Sequence, residues 1–193
     1  MCSMIMKETI SYYMNNNSTV HCVFLDATKA FDRVEYCKLF KLLIKRDIPS
    51  HVVRVLLNMY TGQQIRVLWN GIYSNCFNVA NGVKQGGIIS PVLFCVYLDV
   101  LLGALRDAGV GCFIGHMFVG ALAYADDIVL LAPSARAMRK LLLVCDEFAG
   151  NYSVKFNANK SKCLTFCSNR CRRVNSVEWP DFVIGGSSIE NVE

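Results

Sequence analysis

Three aspartates stand in apolar surroundings, where a carboxylate is costly to bury. Asp26 follows the apolar run Val20–Leu25, and the pair Asp126 and Asp127 lies about a hundred residues later, between two further apolar runs. A lone buried carboxylate costs several kcal/mol unless it is paired or binds a metal, and two adjacent anions repel each other. A bound divalent cation would offset both the cost of burial and the repulsion between the carboxylates. A solvated turn also explains an Asp-Asp pair taken alone, so that interpretation stays open at this point.

The same order of apolar strand, acid and polar loop occurs at both places, and it predicts a metal site at one edge of a sheet. Two strands that deliver carboxylates to the same edge can hold two hard cations about 3.5–4 Å apart, which clamps the attacking and leaving oxygens in phosphoryl transfer. Oxygen ligands without a nearby histidine favour Mg²⁺ over Zn²⁺. The 10 cysteines form no CxxC pair, so the sequence does not predict a zinc site.

Periodicity and turn residues predict the elements that must position these acids. Helical spacing predicts helices over 4–14, 34–45, 50–60 and 135–149, the last ending at Gly150. Short apolar runs predict strands at 20–25 and 162–167, a hairpin of 64–69 with 72–79, and a second hairpin with the acid pair at its tip. A glycine-rich loop, 81–87, runs into a helix with Ser90 as N-cap and Pro91 as its first residue. This order predicts one α+β unit, an antiparallel sheet with helices packed on one face.

Composition limits the class of protein. A chain of 193 residues fits one domain. Its hydrophobic content of 53% and mean hydropathy of +0.33 raise the alternative of a membrane or structural helical protein. The most apolar span, 87–105, contains Ser90, Pro91 and Asp99, which makes it a poor membrane helix. Since no secretory signal is visible and many thiols suit a reducing compartment, we expect an intracellular protein without membrane association.

Positive charge is concentrated near the C-terminal end of a chain whose net charge is +5. Such a stretch suits a phosphate backbone, although an ordinary solvated face explains it equally well. Its residues are Lys155, Lys160, Lys162, Arg170, Arg172 and Arg173.

Four sequence blocks in a fixed order carry a resemblance to a known family. They are Phe24-Leu25-Asp26 through Ala30-Phe31-Asp32, Gly82 through Gly86 with Ser90-Pro91, Tyr124-Ala125-Asp126-Asp127, and Asn157 through Lys160-Ser161-Lys162. Any one block is weak evidence, but all four in this order, over about residues 4–167, are highly specific. The chain resembles the palm of a reverse transcriptase, most of all the non-LTR (LINE-type) retrotransposon enzymes.

The resemblance implies a polymerase palm with a ferredoxin-like core and RNA-directed DNA polymerase activity. The reaction would be two-metal-ion transfer of a dNTP onto a primer 3′-OH, with two Mg²⁺ ions, or Mn²⁺ as the alternative. The partners would be an RNA template, a DNA primer and a dNTP. In the family's pattern Asp26, Asp126 and Asp127 would be metal ligands together with the carbonyl of Ala27, and Lys160 would protonate the departing pyrophosphate.

The resemblance also implies a set of substrate contacts. Phe31 matches the bulky gate that blocks a ribose 2′-OH, which predicts a preference for deoxynucleotides. Lys29 and Ala30 match positions along the triphosphate and sugar, and Gln85 and Gly86 match the loop that contacts nucleotide and template. The ordinary alternatives are a core role for Phe31, a plain loop position for Gln85 and a solvated cation at Lys160.

The family pattern further predicts segments beyond this stretch. The fingers blocks should precede Met1 and the thumb should follow Glu193, so residues 1–193 would be a truncated palm domain, inactive or nearly so by itself, whose partners include the remaining fingers and thumb of a parent polyprotein. One alternative is a non-catalytic, degenerate module derived from a retroelement that binds nucleic acid. Another is an RNA-copying polymerase that makes RNA.

Overall fold

The structure of the protein is a computed structural model that describes residues 1–167 and 180–192. Its backbone contacts cluster into two compact units. The first combines Met1–Thr28 with Asp99–Glu193, and the second is Lys29–Leu98. The prediction of one domain over residues 1–193 therefore stays a prediction.

The described residues form a mixture of helices and short strands. The helices are α1 Cys2–Asn15, α2 Tyr36–Lys45, α3 Ser50–Tyr60, α4 Ser90–Asp107 and α5 Ala135–Tyr152, with a 3-10 turn at Phe31–Arg33. The strands of the first unit are β1 Val20–Leu25, β6 Phe113–Ile114, β7 Met117–Phe118, β8 Ala121–Tyr124, β9 Asp127–Ala132, β10 Lys162–Phe166, β11 Val183–Ile184, β12 Ser187–Ser188 and β13 Glu190–Val192. The strands of the second unit are β2 Gln64–Ile65, β3 Leu68–Trp69, β4 Ile72–Tyr73 and β5 Phe77–Asn78.

The first unit is built on a five-stranded sheet in the order β13-β10-β1-β9-β8. β1 pairs antiparallel with both neighbours, so Val23 lies opposite Cys163 on one side and Leu130 on the other. β8 and β9 form the predicted hairpin, and only β13 joins the sheet in parallel. The α+β class and the antiparallel arrangement of the central strands are as the sequence predicted.

Both faces of the central strand are covered. Side chains alternate along a strand, so Val20 and Cys22 face one way and Val23 and Leu25 the other, and all four are buried. Val20 and Cys22 belong to a buried cluster with Cys112, Val119 and Leu131, and the residues of α1 that pack against this cluster are Ile5, Met6, Ile10 and Tyr13.

Helix α5 contacts β9 through the apolar stripe that its sequence period predicts. Its buried residues are Met138, Leu141, Leu142, Cys145 and Phe148. Each large apolar side chain removed from water in this way contributes about 1.5–3 kcal/mol. The predicted stop at Gly150 is wrong, because α5 continues to Tyr152 and Ser153 ends it with a left-handed φ of 54°.

The second unit contains α2, α3 and the hairpin region. α3 has its predicted bounds, whereas α2 begins at Tyr36, after the 3-10 turn, and not at Val34. Asn70 and Gly71 have φ values of 52° and 81°, as a type I′ turn requires. The hairpin is present where predicted, but its pairing is interrupted, with β3 on β4 and β2 on β5.

Two further observations bear on the sequence-based expectations. Within the described ranges, none of the helices is both long and apolar enough to cross a bilayer. The nine cysteines that lie in those ranges are free thiols. Burial raises the pKa of the Cys163 thiol to about 11, so it stays protonated near neutral pH.

Candidate active site

The register of the first unit's sheet brings the three aspartates to one end of it. Leu25, the last residue of β1, lies opposite Ile128 of β9, so the next residue on each strand is Asp26 and Asp127. Asp126 occupies the two-residue turn between β8 and β9, and Tyr124 pairs with Asp127 across that turn. Neighbouring positions across antiparallel strands are about 4.5–5.5 Å apart.

The turn that carries Asp126 has an unusual backbone. Ala125 has a φ of 53°, in the left-handed region that disfavours residues with a Cβ. Such conformations cost about 1–3 kcal/mol and persist where surrounding structure fixes them, often at functional sites. The hairpin therefore holds the acid pair in a strained, defined turn.

Asp26 is fixed by a segment far away in sequence. Asn157 donates its backbone N–H to the Asp26 carbonyl at 2.8 Å, and Thr28 donates to the Lys155 carbonyl at 2.7 Å. The Asp26 N–H donates to Ser161 Oγ at 3.2 Å, and that hydroxyl donates to the Asn157 carbonyl at 2.8 Å. Ser161 is fully buried. Through these hydrogen bonds the fourth sequence block holds the first in place, and residues 155–161 are called the bracing segment below.

The pairing of residues 26–28 with residues 155–157 leaves the Ala27 carbonyl oxygen outside its hydrogen bonds. Ala27 lies opposite Phe156, but the hydrogen bonds of the bridge run from its neighbours, Asp26 and Thr28. In a non-hydrogen-bonded pair of this kind the Ala27 carbonyl points away from the bracing segment. It is therefore available as an oxygen ligand, whereas the Asp26 carbonyl is occupied.

Replacing Ser161 by alanine tests this brace. The change removes both hydrogen bonds of the hydroxyl and leaves the Asp26 N–H without that partner, so we expect a loss of about 1–3 kcal/mol in the free energy of unfolding. Urea denaturation of the 193-residue chain measures it. Ser187→Ala, at an exposed position of β12, is the matched control and should stay within about 0.5 kcal/mol of wild type. Equal stability of the two variants would contradict the bracing role.

The electrostatics of the acid end favour a bound cation. Asp26 and Asp126 are half-buried and Asp127 is exposed. No Lys or Arg of residues 1–167 and 180–192 forms an ion pair with any of the three. The same residues contain no group of three or more His, Cys, Asp or Glu side chains gathered around a common point. Mg²⁺ is usually held by one or two carboxylates plus substrate oxygens, and this all-oxygen donor set fits it.

Asp127 also borders a small apolar pocket of about 170 Å³ in the first unit. Its walls come from the start of α1, from β1 and from the β8–β9 hairpin. The lining residues are Cys2, Ser3, Met6, Phe24, Leu122, Ala123, Tyr124, Asp127 and Val129.

Lys160 lies in the loop before β10, next to Ser161, and is exposed. Of the other cations in the basic stretch, Lys155 is exposed and Lys162 forms an ion pair with Glu190. Arg170, Arg172 and Arg173 lie outside the described residues. The nucleic-acid role of this stretch stays a prediction.

The predicted substrate residues belong to the second unit. Lys29 is exposed with a φ of 51°, Ala30 is buried, and the half-buried Phe31 stacks on Phe94 with ring centroids 4.6 Å apart. Gly86 is exposed and has a φ of 82°.

The glycine-rich loop is held against the segment after Ala30. Gly82 donates its N–H to the Val34 carbonyl and Val83 donates to the Phe31 carbonyl, each at 2.8 Å. The Gln85 amide donates to a carboxylate oxygen of Asp32 at 3.2 Å. Phe31 and the loop together line a cleft of about 500 Å³. Its lining residues are Phe31, Lys84, Gln85, Gly86, Gly87, Ile88, Ser90 and Pro91.

Gly82 is required at its position for two reasons. Its φ is 92°, and a Cβ there would lie 2.9 Å from the Asp32 Cα. We expect Gly82→Ala to cost about 2 kcal/mol or more in the free energy of unfolding. The alanine would be strained at this positive φ, and the Asp32 backbone would also have to move away from the added Cβ. Gly86→Ala is the control, because its φ of 82° is similar but nothing lies within 4 Å of the added Cβ. Urea midpoints that fall equally in both variants would contradict the close approach.

Sequence reasoning missed the residue beneath this loop. The Tyr60 hydroxyl lies 3.3 Å from Ser90 Oγ, and both residues are buried. The Lys84 ammonium lies 5.9 Å from the centroid of the Tyr60 ring. The predicted N-cap role of Ser90 is off by one residue, because α4 already includes Ser90. The sequence identifies Tyr60 only as the last residue of the helix predicted over 50–60.

The chain is similar in sequence to reverse transcriptases. The sequence profile of the family described as reverse transcriptase (RNA-dependent DNA polymerase) matches residues 2–183. The Pol polyprotein of the Drosophila melanogaster element R2DM is 30% identical over 169 residues, 88% of this chain and 16% of that protein. A type-1 R2 polyprotein of Popillia japonica is 32% identical, over 89% of this chain and 28% of its own. The jockey polymerase of Drosophila funebris is 26% identical, over 87% and 18%.

The chain therefore spans less than a third of each of these relatives. Among solved structures, apo telomerase from Candida tropicalis, truncated from its C-terminal domain, matches with a TM-score of 0.66 and 14% identity. That match covers 97% of this chain and 37% of the telomerase chain. The same enzyme bound to a fragment of telomeric RNA also gives 0.66, at 11% identity and over 85% and 29%. At these identities the likeness concerns the fold, and it agrees with the α+β polymerase palm.

Proposed function

Because this chain belongs to the reverse transcriptase (RNA-dependent DNA polymerase) family, we propose that it extends a DNA primer on an RNA template. Its curated relatives are polymerases of the non-LTR retrotransposons R2 and jockey. The reaction is the transfer of a deoxynucleotide from a dNTP onto the primer 3′-OH. The remaining segments of a retrotransposon polyprotein are its proposed partners.

One observation carries the proposal. Three carboxylates without an ion-pair partner in the described residues lie at the same end of a sheet, because the register of their strands places them there. Water solvates the exposed Asp127, but a compensating cation would stabilise the half-buried Asp26 and Asp126. A cation that arrives with the substrate would supply that charge.

Reverse transcriptase domains generally use divalent metal ions, and we propose two Mg²⁺ ions, or Mn²⁺, for this chain. Asp26, Asp126 and Asp127 would hold them, with the Ala27 carbonyl as a further oxygen ligand. When bound, such ions neutralise the triphosphate and lower the pKa of the primer hydroxyl.

The other residues of the proposal act on the nucleotide. Lys29 and Ala30 lie along its triphosphate and sugar, and Gln85 and Gly86 position nucleotide and template. Phe31 excludes a ribose 2′-OH by bulk. Lys160 is exposed and without an ion-pair partner in the described residues, so its ammonium is available to give a proton to the departing pyrophosphate.

The test is primer extension by the full-length protein that carries this chain, on an RNA template with a DNA primer. We expect DNA product with dNTPs and Mg²⁺ or Mn²⁺, and none after chelation of the metal. Template binding with no extension under either metal would overturn the proposal and favour a non-catalytic nucleic-acid-binding module. Product formed only from ribonucleotides would overturn the dNTP preference.

A further inference from the structure

One long stretch of the second unit contains no acidic residue. The chain has 15 aspartates and glutamates, yet none lies between Asp47 and Asp99. Its cations are Arg54, Arg66 and Lys84. From outside the stretch, the Asp32 carboxylate accepts a hydrogen bond from Gln85. A stretch whose own charges are all positive favours a polyanion.

The hairpin of β3 and β4 in this stretch exposes two aromatic side chains. Trp69 is 79% exposed and Tyr73 is 62% exposed, which is unusual for large aromatic side chains. The Arg66 guanidinium lies 5.3 Å from the centroid of the Tyr73 ring. The hairpin thus presents two aromatic rings and one cation to solvent.

The register assigns the two rings to opposite faces of the hairpin. Leu68 pairs with Tyr73, and Trp69 pairs with Ile72. Paired residues share a face and successive residues alternate. Tyr73 and Arg66 therefore lie on one face and Trp69 on the other, with the Asn70-Gly71 turn between the strands. The Asn70-Gly71 turn fixes the register of the two strands.

We propose that this hairpin binds single-stranded RNA. One base stacks on Trp69, another stacks on Tyr73 around the tip, and Arg66 contacts a phosphate. Exposed rings on a positive surface are the usual means of holding unpaired bases, and stacking tolerates any sequence. The choice of RNA over DNA rests on the proposed function, whereas the stacking does not.

The aliphatic neighbours of the rings suggest a different occupant, an apolar face of another protein. Leu68 and Ile72 are 54% and 75% exposed. An apolar protein partner gains no advantage from the acid-free stretch, and it accepts leucine in place of tryptophan. Base stacking requires the π-face that leucine lacks. This difference separates the two occupants experimentally.

The direct measurement uses the fluorescence of Trp69. The chain has two tryptophans, so Trp179→Phe leaves Trp69 as the single reporter. We expect a short unstructured RNA to quench it, and Trp69→Leu and Tyr73→Leu each to weaken RNA binding about tenfold or more. Trp69→Phe and Tyr73→Phe keep a stacking face and should bind nearly as the parent does. Arg66→Gln should reduce the slope of log affinity against log salt by about one phosphate contact.

Control variants and a comparison with single-stranded DNA complete the test. Ile72→Ser should leave RNA binding unchanged, and the binding measurement uses neither dNTP nor divalent metal, so the result does not depend on the proposed polymerase activity. The inference is overturned if RNA leaves Trp69 fluorescence unchanged, or if Trp69→Leu binds RNA as the parent does. Tighter binding of single-stranded DNA would overturn the choice of RNA. Self-association that is abolished by Ile72→Ser, without RNA binding, would identify a protein-docking surface instead.

Discussion

In the full-length protein that carries this chain, Asp126→Asn is expected to lower the rate of primer extension by about a thousandfold, and Asp26→Asn to do the same. Stabilisation by a bound metal ion is worth several kcal/mol, and about 4 kcal/mol corresponds to about a thousandfold in rate. Asparagine keeps the shape of the side chain but removes the charge that holds the cation. The fold should not suffer, since no described Lys or Arg pairs with either carboxylate. Removing one of three neighbouring anions relieves repulsion.

Two measurements separate a metal ligand from a structural acid. Titration of the chain with Mn²⁺, followed by electron paramagnetic resonance, should show weaker binding in both variants, independent of any activity. Urea denaturation should show stability equal to or above that of the wild type. Asp107→Asn is the matched control, because Asp107 is exposed and pairs with Arg106 at the end of α4. Either variant retaining normal extension and Mn²⁺ affinity would refute the site.

The sequence predicted well those features that depend on local periodicity. The buried stripe of α5 is the clearest example, because its five residues recur at a spacing that only a helix brings to one face. β1 was predictable because it is a short run in which every residue except His21 is apolar, with an acid at its end. The turn at Asn70-Gly71 follows from the backbone conformations that few residues adopt.

The brace of Asp26 could not be predicted from the residues themselves. Ser161 lies 135 residues from Asp26, and nothing local to either residue encodes their hydrogen bond. The family resemblance places Ser161 in the same block as Lys160 but assigns it no contact. The helix end at Gly150 was wrong for a related reason. Glycine permits a helix to stop but does not require it, and the left-handed residue that ends α5 is Ser153.

The interpretation of Phe31 also depends on a contact that sequence does not give. Phe31 stacks on Phe94 at 4.6 Å with an angle of 21° between the rings. It also lines the cleft formed with Lys84, Gln85 and Gly86. The first contact is what a core residue makes, and the second is what a nucleotide gate requires.

Phe31→Val is expected to reduce discrimination against ribonucleotides by about a hundredfold. Steric selection of this kind is worth about 10- to 200-fold for small differences in a substrate, and valine removes most of the ring that would meet a 2′-OH. Single-nucleotide extension with dNTP and rNTP in separate reactions measures the ratio of kcat/KM. We expect the change mainly in the rNTP reaction.

Phe94→Leu distinguishes the gate from the core. Phe94 is buried and is not part of the lining of the cleft, so its loss removes the ring stacking without enlarging the space for a sugar. That variant should lose about 1 kcal/mol of stability and keep its preference for dNTPs. If both variants admitted ribonucleotides equally, disorder of the stacked pair would explain the result, and Phe31 would be a core residue. If only Phe31→Val admits them, selection against the 2′-OH belongs to the side chain that faces the cleft.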